Sequence, residues 1–190
     1  MSASLSEPMT RAEFLDWEER QELRYEFDGA RVVAMIGGTL DHSLIQGNLF
    51  AALHAALRDG PRRVHGGHAK IETARGYRYP DVFVTCADTR GQGTVAREPV
   101  VVFEVLSPST SRVDRIVKVR EYGDTPSIRR YVILEQTAQA ATVFSHDAGQ
   151  GSGIVVQGDA SLDLPEIGVS LPLAEIYRGV EFPPDTPDGP

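Results

Sequence analysis

The pattern of hydrophobic and polar residues at the start of the chain predicts a helix followed by a hairpin. Thr10 and Glu13 have the spacing of a capping box, so a helix is expected from about residue 10 to about residue 22. The hydrophobic segments YEF and RVVAMI then flank Asp28 and Gly29. Because both residues tolerate positive φ, an Asp-Gly pair here indicates a tight turn between two antiparallel strands.

A second helix is predicted after this hairpin. Asp41 has the position and chemistry of an N-cap, and Arg58 and Gly60 mark the end of the helix. Between them, hydrophobic residues recur at every fourth position: Ile45, Leu49, Leu53 and Leu57. This period gives the helix one apolar face, which predicts that it packs against the rest of the fold.

The remaining chain alternates between the periods of strands and helices. Successive strands are predicted for RRVHG, AKIET, DVFVTC and VVVFEVL, which we expect in the middle of a sheet. Residues 112–122 have a helical period. They precede a buried strand in IRRYVIL. ATVFSHD and GIVVQGD follow as an antiparallel pair, and LPEIGVSLPLAEIY contains a strand, a turn and a helical turn. This order predicts an α/β fold, with a mixed β-sheet flanked by α-helices and an additional antiparallel C-terminal hairpin.

Length and composition are those of one globular domain, since the chain has 190 residues, 41% hydrophobic and 24% charged. Flexible ends are expected at residues 1–9 and 181–190, because EFPPDTPDGP combines many prolines with little hydrophobic surface. No segment reaches the ~18 to 20 apolar residues that span a bilayer, and no signal peptide is visible. We therefore expect a cytoplasmic protein that does not bind a membrane.

The net charge of −8 argues against a large nucleic-acid-binding surface, because such surfaces are usually basic. Local basic surfaces remain compatible with it, since residues 58–63 contain three arginines and residues 111–130 contain six basic residues. An ordinary solvated surface is the favoured interpretation of both segments. The single cysteine, Cys86, excludes an internal disulfide, and its place at the end of an apolar strand predicts a buried thiol.

Two acidic residues lie in the most hydrophobic strands that are predicted. Asp81 begins DVFVTC, and Glu104 lies inside VVVFEVL. An ionised carboxylate removed from water costs several kcal/mol or shifts its pKa, so each acid needs a partner, and a shared divalent cation would serve both. The alternatives are a capping or turn role for Asp81 after Pro80, and an ion pair with a buried arginine for Glu104.

A series of motifs follows a family pattern. The chain contains, in this order, ELRYEFDGARVVAM, DHSL, YPDVFV, VVFEVLSPST, then Asp114, Lys118 and Tyr122, then RRYVIL and GVSLPLAEIY. Together they resemble the Uma-type family of restriction-endonuclease-like proteins, which looks like a branch of the PD-(D/E)xK nuclease superfamily. The resemblance implies one restriction-endonuclease-like domain at residues 10–178, with Mg²⁺ or Mn²⁺ bound by Asp81 and Glu104.

The lysine of this superfamily is missing from its usual place. It follows the glutamate by two residues, where this chain has Leu106, which can neither hold a water molecule nor stabilise negative charge. The chain has two lysines, Lys70 and Lys118. Lys118 matches a lysine of the family pattern and is the expected substitute, with Lys70 as the second choice. The alternative for Lys118 is a surface ion pair with Asp114, four residues earlier on the helix.

Glu26 and His42 complete the expected site. The resemblance implies that Glu26 is a further metal ligand or holds a metal-bound water. His42 would contact the phosphate or transfer a proton, since histidine titrates near neutral pH. Tyr122 is expected to pack beneath the site or to hydrogen-bond an acid. Each of these residues is also compatible with a purely structural role.

The expected function is metal-dependent hydrolysis of phosphodiester bonds in nucleic acid, with DNA as the expected substrate. The resemblance also implies a homodimer, since members of the superfamily often pair to cut both strands. Two alternatives remain open. One is a nuclease-fold module without catalysis that binds nucleic acid or a protein partner, and the other is a metal-dependent hydrolase of small phosphoesters.

Overall fold

The computed structural model describes residues 9–35, 37–86, 93–106, 112–146 and 153–182, and of residues 112–114 it describes the backbone alone. Within these residues the chain forms four helices: α1 (Arg11–Glu18), α2 (Leu40–Leu57), α3 (Arg112–Gly123) and α4 (Leu173–Ile176). None of these helices has the length and apolar character needed to cross a membrane. The ends expected to be flexible lie almost wholly outside the described residues.

Thirteen strands are formed by the described residues. The first seven are β1 (Tyr25–Phe27), β2 (Val32–Ala34), β3 (Arg63–Gly66), β4 (Lys70–Glu72), β5 (Tyr77–Arg78), β6 (Val82–Thr85) and β7 (Val95–Ala96). The others are β8 (Pro99–Val105), β9 (Arg130–Leu134), β10 (Ala140–Ser145), β11 (Ile154–Gln157), β12 (Ser161–Leu164) and β13 (Val169–Pro172).

Most strands belong to two mixed sheets. The larger sheet has the order β11-β10-β9-β8-β6-β3, and the smaller one has the order β2-β1-β5-β4-β7. β8 and β9 are parallel, and α3 lies in the crossover that joins them, as a parallel pair requires. β12 and β13 form a separate antiparallel hairpin. The predicted mixed α/β fold with an additional C-terminal hairpin is confirmed. However, β4, expected in the middle of the same sheet as β6 and β8, pairs with β5 and β7 in the smaller sheet.

The two faces of the larger sheet carry different layers. The predicted apolar face of α2 is buried on one side, where it packs with the odd-numbered residues of β8: Val101, Phe103 and Val105. On the other side Val102 packs with Phe83 and with Tyr122 of α3. Because side chains alternate along a strand, Glu104 lies on the same face as Val102, towards α3.

The local signals near the N-terminus are confirmed, except for the end of the first helix. Thr10 and Glu13 form the capping box, and Gly29 turns the β1–β2 hairpin with a φ of 89°. α1 ends at Glu18 instead of near residue 22. The Glu18 carboxylate accepts a hydrogen bond from the backbone N–H of Tyr25, which draws the following chain towards β1.

Two other predictions were wrong. The N-cap of α2 is Thr39, whose hydroxyl accepts a hydrogen bond from the backbone N–H of His42 at 3.1 Å, and Asp41 lies in the first turn. Thr39 has the extended backbone of an N-cap and stands three residues before that donor, so the helix begins earlier than expected. Cys86 is exposed instead of buried, because it follows the last paired residue of β6.

Candidate active site

Asp81 and Glu104 face each other across two neighbouring strands. β6 and β8 are antiparallel with Val82 opposite Phe103, and this register places Asp81 opposite Glu104. Residues that face each other in this way project from the same side of a sheet, with Cβ atoms about 4.5 to 5.5 Å apart. The backbone N–H of Val105 also donates to Asp81 Oδ2 at 2.7 Å, which fixes this carboxylate against β8. The structure therefore brings the predicted acidic pair together.

His42 lies next to Asp81. Its Nε2 is 3.3 Å from Asp81 Oδ2, and the hydrogen bond to Asp81 is the main cause that raises the pKa of His42, although burial opposes the rise. Gln46, one helical turn further along α2, donates to the backbone carbonyl of Asp81 at 2.8 Å. The start of α2 is thus held against the chain just before β6, and a positive charge on His42 is favoured beside the acid.

Glu104 is a buried acid with two donors on one oxygen. Lys118 Nζ donates to Glu104 Oε1 at 3.1 Å, and the Tyr122 hydroxyl donates to the same oxygen at 2.8 Å. Burial raises the pKa of Glu104 to about 7, and the negative charges of Asp81 and Glu26 add to the rise, which the Lys118 charge only partly offsets. Near neutral pH this carboxyl therefore exchanges a proton readily, or releases it when a cation binds.

Lys118 connects Glu104 with Glu26. Its Nζ lies 3.6 Å from Glu26 Oε1, so the ammonium is close to two carboxylates from different sheets. Burial by itself raises the pKa of Glu26, but the charges of Lys118 and Arg78 and a hydrogen bond from the Tyr79 N–H lower it overall. Lys118, the expected substitute for the lysine missing at Leu106, thus contacts Glu104. The side chain of Asp114, its alternative partner, lies outside the described part of the chain.

Lys70, the second choice for that role, lies elsewhere. It forms a buried ion pair with Glu18, which also accepts a hydrogen bond from the Tyr79 hydroxyl at 2.8 Å. The ion pair joins α1 to β4, and the hydrogen bond from Tyr79 joins α1 to the residue that follows β5. Lys70 therefore has a structural partner of its own, and Lys118 is the lysine that the structure brings to the acidic pair.

Arg78 and Glu121 are two members of this cluster that sequence reasoning missed. Arg78 Nε and Nη2 donate to Glu121 Oε2 at 3.0 and 2.5 Å, and Arg78 Nη1 donates to Glu26 at 3.0 Å. Both side chains are almost completely buried. A weak signal existed, since Glu121 is one helical turn from Lys118 on α3 and Arg78 alternates with two aromatic residues, Tyr77 and Tyr79.

The chemistry of the cluster fits a divalent cation. Glu104 Oε2 and Asp81 Oδ1 have no hydrogen-bond or ion-pair partner among the described residues, whereas the second oxygen of each acid is held by the protein. Four carboxylates, those of Asp81, Glu104, Glu26 and Glu121, meet the two basic side chains of Lys118 and Arg78. The carboxylates outnumber these two basic side chains, and a surplus of carboxylate oxygens favours a cation with oxygen ligands.

The described residues offer two carboxylate ligands and no group of three histidine, cysteine or acidic side chains that could hold a metal. Mg²⁺ is commonly bound by one or two carboxylates together with water and substrate phosphate, so two are sufficient. A groove of about 790 Å³ opens beside Asp81 and His42. Its other lining residues include Gln46, Phe50, Gly67 and His68. Asp81 and His42 therefore line a groove whose volume is large enough for part of a polymeric substrate.

Comparison with known proteins supports this fold. A protein of Synechocystis sp. described as "Uncharacterized protein slr1290" is 34% identical over 175 residues, which cover 90% of this chain and 92% of the relative. A second Synechocystis protein, "Uncharacterized protein sll1609", is 25% identical over 141 residues, 72% of this chain and 80% of the relative. The crystal structure of "a putative nuclease belonging to DUF820" from Anabaena variabilis matches with a TM-score of 0.71 at 17% identity, over 90% of this chain and 98% of that one. This chain and the Anabaena protein therefore share a fold.

The family follows from a match that spans most of the chain. The family model described as "Uma2: Putative restriction endonuclease" matches residues 11–174. These boundaries lie close to those expected from the motifs, and the predicted resemblance is confirmed. The chain belongs to the Uma2 family of restriction-endonuclease-like proteins.

Proposed function

We propose that the protein is a metal-dependent endonuclease that hydrolyses phosphodiester bonds of nucleic acid, with DNA as the expected substrate. The observation that carries this proposal is the cross-strand pair of Asp81 and Glu104, each with one carboxylate oxygen held by the protein and one open to a cation. Membership of the Uma2 family supports the same chemistry.

Asp81 and Glu104 would hold Mg²⁺ or Mn²⁺ through these open oxygens. The bound metal would neutralise charge on the phosphate and favour ionisation of a water molecule. Hydrolysis then adds the water oxygen to phosphorus and breaks one P–O ester bond, and the departing oxygen takes up a proton. The remaining roles belong to side chains of the protein.

Lys118 contacts Glu104, whereas His42 contacts Asp81. The Lys118 ammonium, held at Glu104, would orient the attacking water and stabilise the negative charge that develops on the phosphoryl oxygens. His42, whose positive form is favoured by Asp81, is placed to contact the phosphate or to protonate the departing oxygen. Tyr122 fixes the orientation of Glu104 through its hydrogen bond.

The test uses a supercoiled plasmid and labelled DNA and RNA oligonucleotides with Mn²⁺ or Mg²⁺. We expect the wild-type protein to cleave one of these substrates only with metal. Asp81→Asn and Glu104→Gln should abolish cleavage without unfolding the protein. Glu18→Gln is the matched control, because it changes a buried glutamate paired with a lysine away from the acidic pair, and it should cleave like the wild type.

A second candidate is a nuclease-fold module that binds nucleic acid or a protein without cutting it, and Leu106 at the usual lysine position favours it. This candidate predicts metal-independent retention of an oligonucleotide and no cleavage that Asp81→Asn could abolish. Cleavage of bis(p-nitrophenyl) phosphate without any cleavage of plasmid or oligonucleotides would instead identify a small-phosphoester hydrolase. The proposed homodimer is tested separately by light scattering after size-exclusion chromatography.

A further inference from the structure

A chain of buried ion pairs links the acidic pair to the smaller sheet. It runs from Glu104 to Lys118, then to Glu26, Arg78 and Glu121. Glu104 belongs to β8 of the larger sheet, whereas Glu26 and Arg78 belong to β1 and β5 of the smaller one. The side chain that spans the two sheets is Lys118, carried by α3. The position of its ammonium therefore depends on residues that do not face Asp81.

The far end of this chain is fixed rigidly. Two nitrogens of Arg78 donate to one oxygen of Glu121, and the Thr73 hydroxyl donates to the other oxygen at 2.5 Å. Thr73 Oγ1 in turn accepts a hydrogen bond from the Gly76 N–H at 3.0 Å, within the β4–β5 connection. A planar guanidinium held at several points has little freedom to rotate. The third nitrogen, Nη1, is thus fixed in the position from which it donates to Glu26.

Glu26 differs from Asp81 and Glu104 in the use of its oxygens. Oε2 accepts from Arg78 at 3.0 Å, while Oε1 accepts from the Tyr79 N–H at 3.2 Å and faces Lys118 at 3.6 Å. Both oxygens are therefore engaged by the protein. A metal ion at Glu26 would compete with these donors inside a buried environment, whereas Asp81 and Glu104 each keep one oxygen without such a partner among the described residues.

We infer that Glu26, held by Arg78 and Glu121, is a positioning residue that keeps the Lys118 ammonium at Glu104, and that it is not a metal ligand. This inference rests on the proposed function only for its effect on cleavage. The smaller sheet then contributes to the site by holding a lysine in place. This contact replaces the direct attachment that a lysine in place of Leu106, two residues after Glu104 in the chain, would have provided.

The lysine content of the chain permits a direct measurement. With Lys70 and Lys118 as its only lysines, protein labelled with ¹⁵N-lysine gives two Nζ signals, and Lys70 serves as an internal reference. In the wild type we expect two protected ammonium signals, since both lysines are nearly buried and ion-paired. Glu26→Gln should remove or shift the Lys118 signal and leave that of Lys70. Glu18→Gln, the matched control, should do the reverse.

Metal binding and cleavage then separate positioning from ligation. For Glu26→Gln we expect a Mn²⁺ dissociation constant within about threefold of the wild type and a kcat about 100-fold lower, the size of effect that a misplacement of about 1 Å can produce. Glu104→Gln should instead weaken Mn²⁺ binding by at least about tenfold. Glu26→Asp keeps the charge on a shorter side chain, so its kcat should lie between those of Glu26→Gln and the wild type. This second variant keeps the inference testable if Glu26→Gln fails to fold.

Three results would overturn the inference: a Mn²⁺ affinity that falls in Glu26→Gln as much as in Glu104→Gln, a Lys118 signal that does not respond to Glu26→Gln, or a kcat that is unchanged. Failure of the proposed function looks different. In that case the wild type does not cleave any substrate, while the response of the Lys118 signal to Glu26→Gln still shows what holds the lysine.

Discussion

Replacement of Glu104 by glutamine should make the metal-free protein more stable above neutral pH while it destroys the site. The pKa of Glu104 is raised from 4.5 to about 7, first by burial and then by the charges of Asp81 and Glu26. An acid whose pKa rises on folding stabilises the folded state below its unfolded pKa, and this contribution is lost as the pH rises through the folded pKa. A rise of this size corresponds to about 3 kcal/mol, lost between about pH 4.5 and about pH 7.

The assay is urea unfolding of the wild type and Glu104→Gln in EDTA at several values between about pH 5 and about pH 8. The difference in the free energy of unfolding should shift by about 2.5 kcal/mol in favour of the variant across this range. Glu166→Gln is the control that should keep a constant difference from the wild type across this range, because the pKa of Glu166 lies below its ordinary value of 4.5. Although burial opposes it, hydrogen bonds from Arg130 lower the pKa of Glu166. Its contribution is therefore present at high pH and lost as the pH falls through the folded pKa.

Metal should offset most of this difference. A cation that needs the ionised acid stabilises the wild type by about 2.7 kcal/mol at a hundred times its dissociation constant, and it should leave Glu104→Gln almost unaffected. If the wild type and Glu104→Gln keep a constant difference from about pH 5 to about pH 8 in EDTA, Glu104 does not titrate in this range and the reasoning is refuted. A Mn²⁺-induced rise of equal size in both proteins would refute its role as a ligand.

Three further outcomes are expected. Lys118→Met should lower the rate of DNA cleavage about 100-fold in single-turnover kinetics, with no loss of Mn²⁺ affinity in calorimetry. Cleavage as fast as that of the wild type would exclude a catalytic role for Lys118. Leu53→Ala, in the fully buried face of α2, should cost about 2 to 5 kcal/mol in urea unfolding, whereas a loss below about 1 kcal/mol would contradict the packing described. Cys86, exposed in the structure, should react with Ellman's reagent in the folded protein as fast as in urea, and a protected thiol would contradict its placement.

The features that could be predicted from the sequence depend on neighbouring residues. The capping box at Thr10, the turn at Gly29 and the apolar face of α2 each arise from a few adjacent positions, and each is confirmed. The meeting of Asp81 with Glu104 belongs to the same class, because β6 and β8 are joined through β7 and pair antiparallel over a short stretch. In the structure, alternation along the strands and the register between them place the two acids on one face.

The features that could not be predicted depend on residues far apart in the chain. Glu26 and Arg78 are 52 residues apart, and Arg78 and Glu121 are 43 apart, so no local pattern joins them. The assignment of β4 to the smaller sheet has the same origin, since Lys70 of β4 finds its partner in Glu18, 52 residues earlier. Exposure of Cys86 follows from where pairing of β6 ends, which the hydrophobic pattern of DVFVTC does not specify.

The departure at Leu106 also has a physical explanation. Leu106 directly follows β8 and packs against the hydrophobic cluster that contains Tyr122, as Val119 does. A lysine there would have to leave its stem in this cluster and carry its charge to Glu104, two residues earlier in the chain. Lys118, approaching from α3, reaches Glu104 while its charge is shared with Glu26 on the smaller sheet. An ammonium between two carboxylates is better compensated than one beside a single acid whose pKa is already near 7. The proposed relocation would exchange a local attachment for one that requires both sheets, so disruption of the Glu26–Arg78 contact should affect cleavage without touching either residue of the acidic pair.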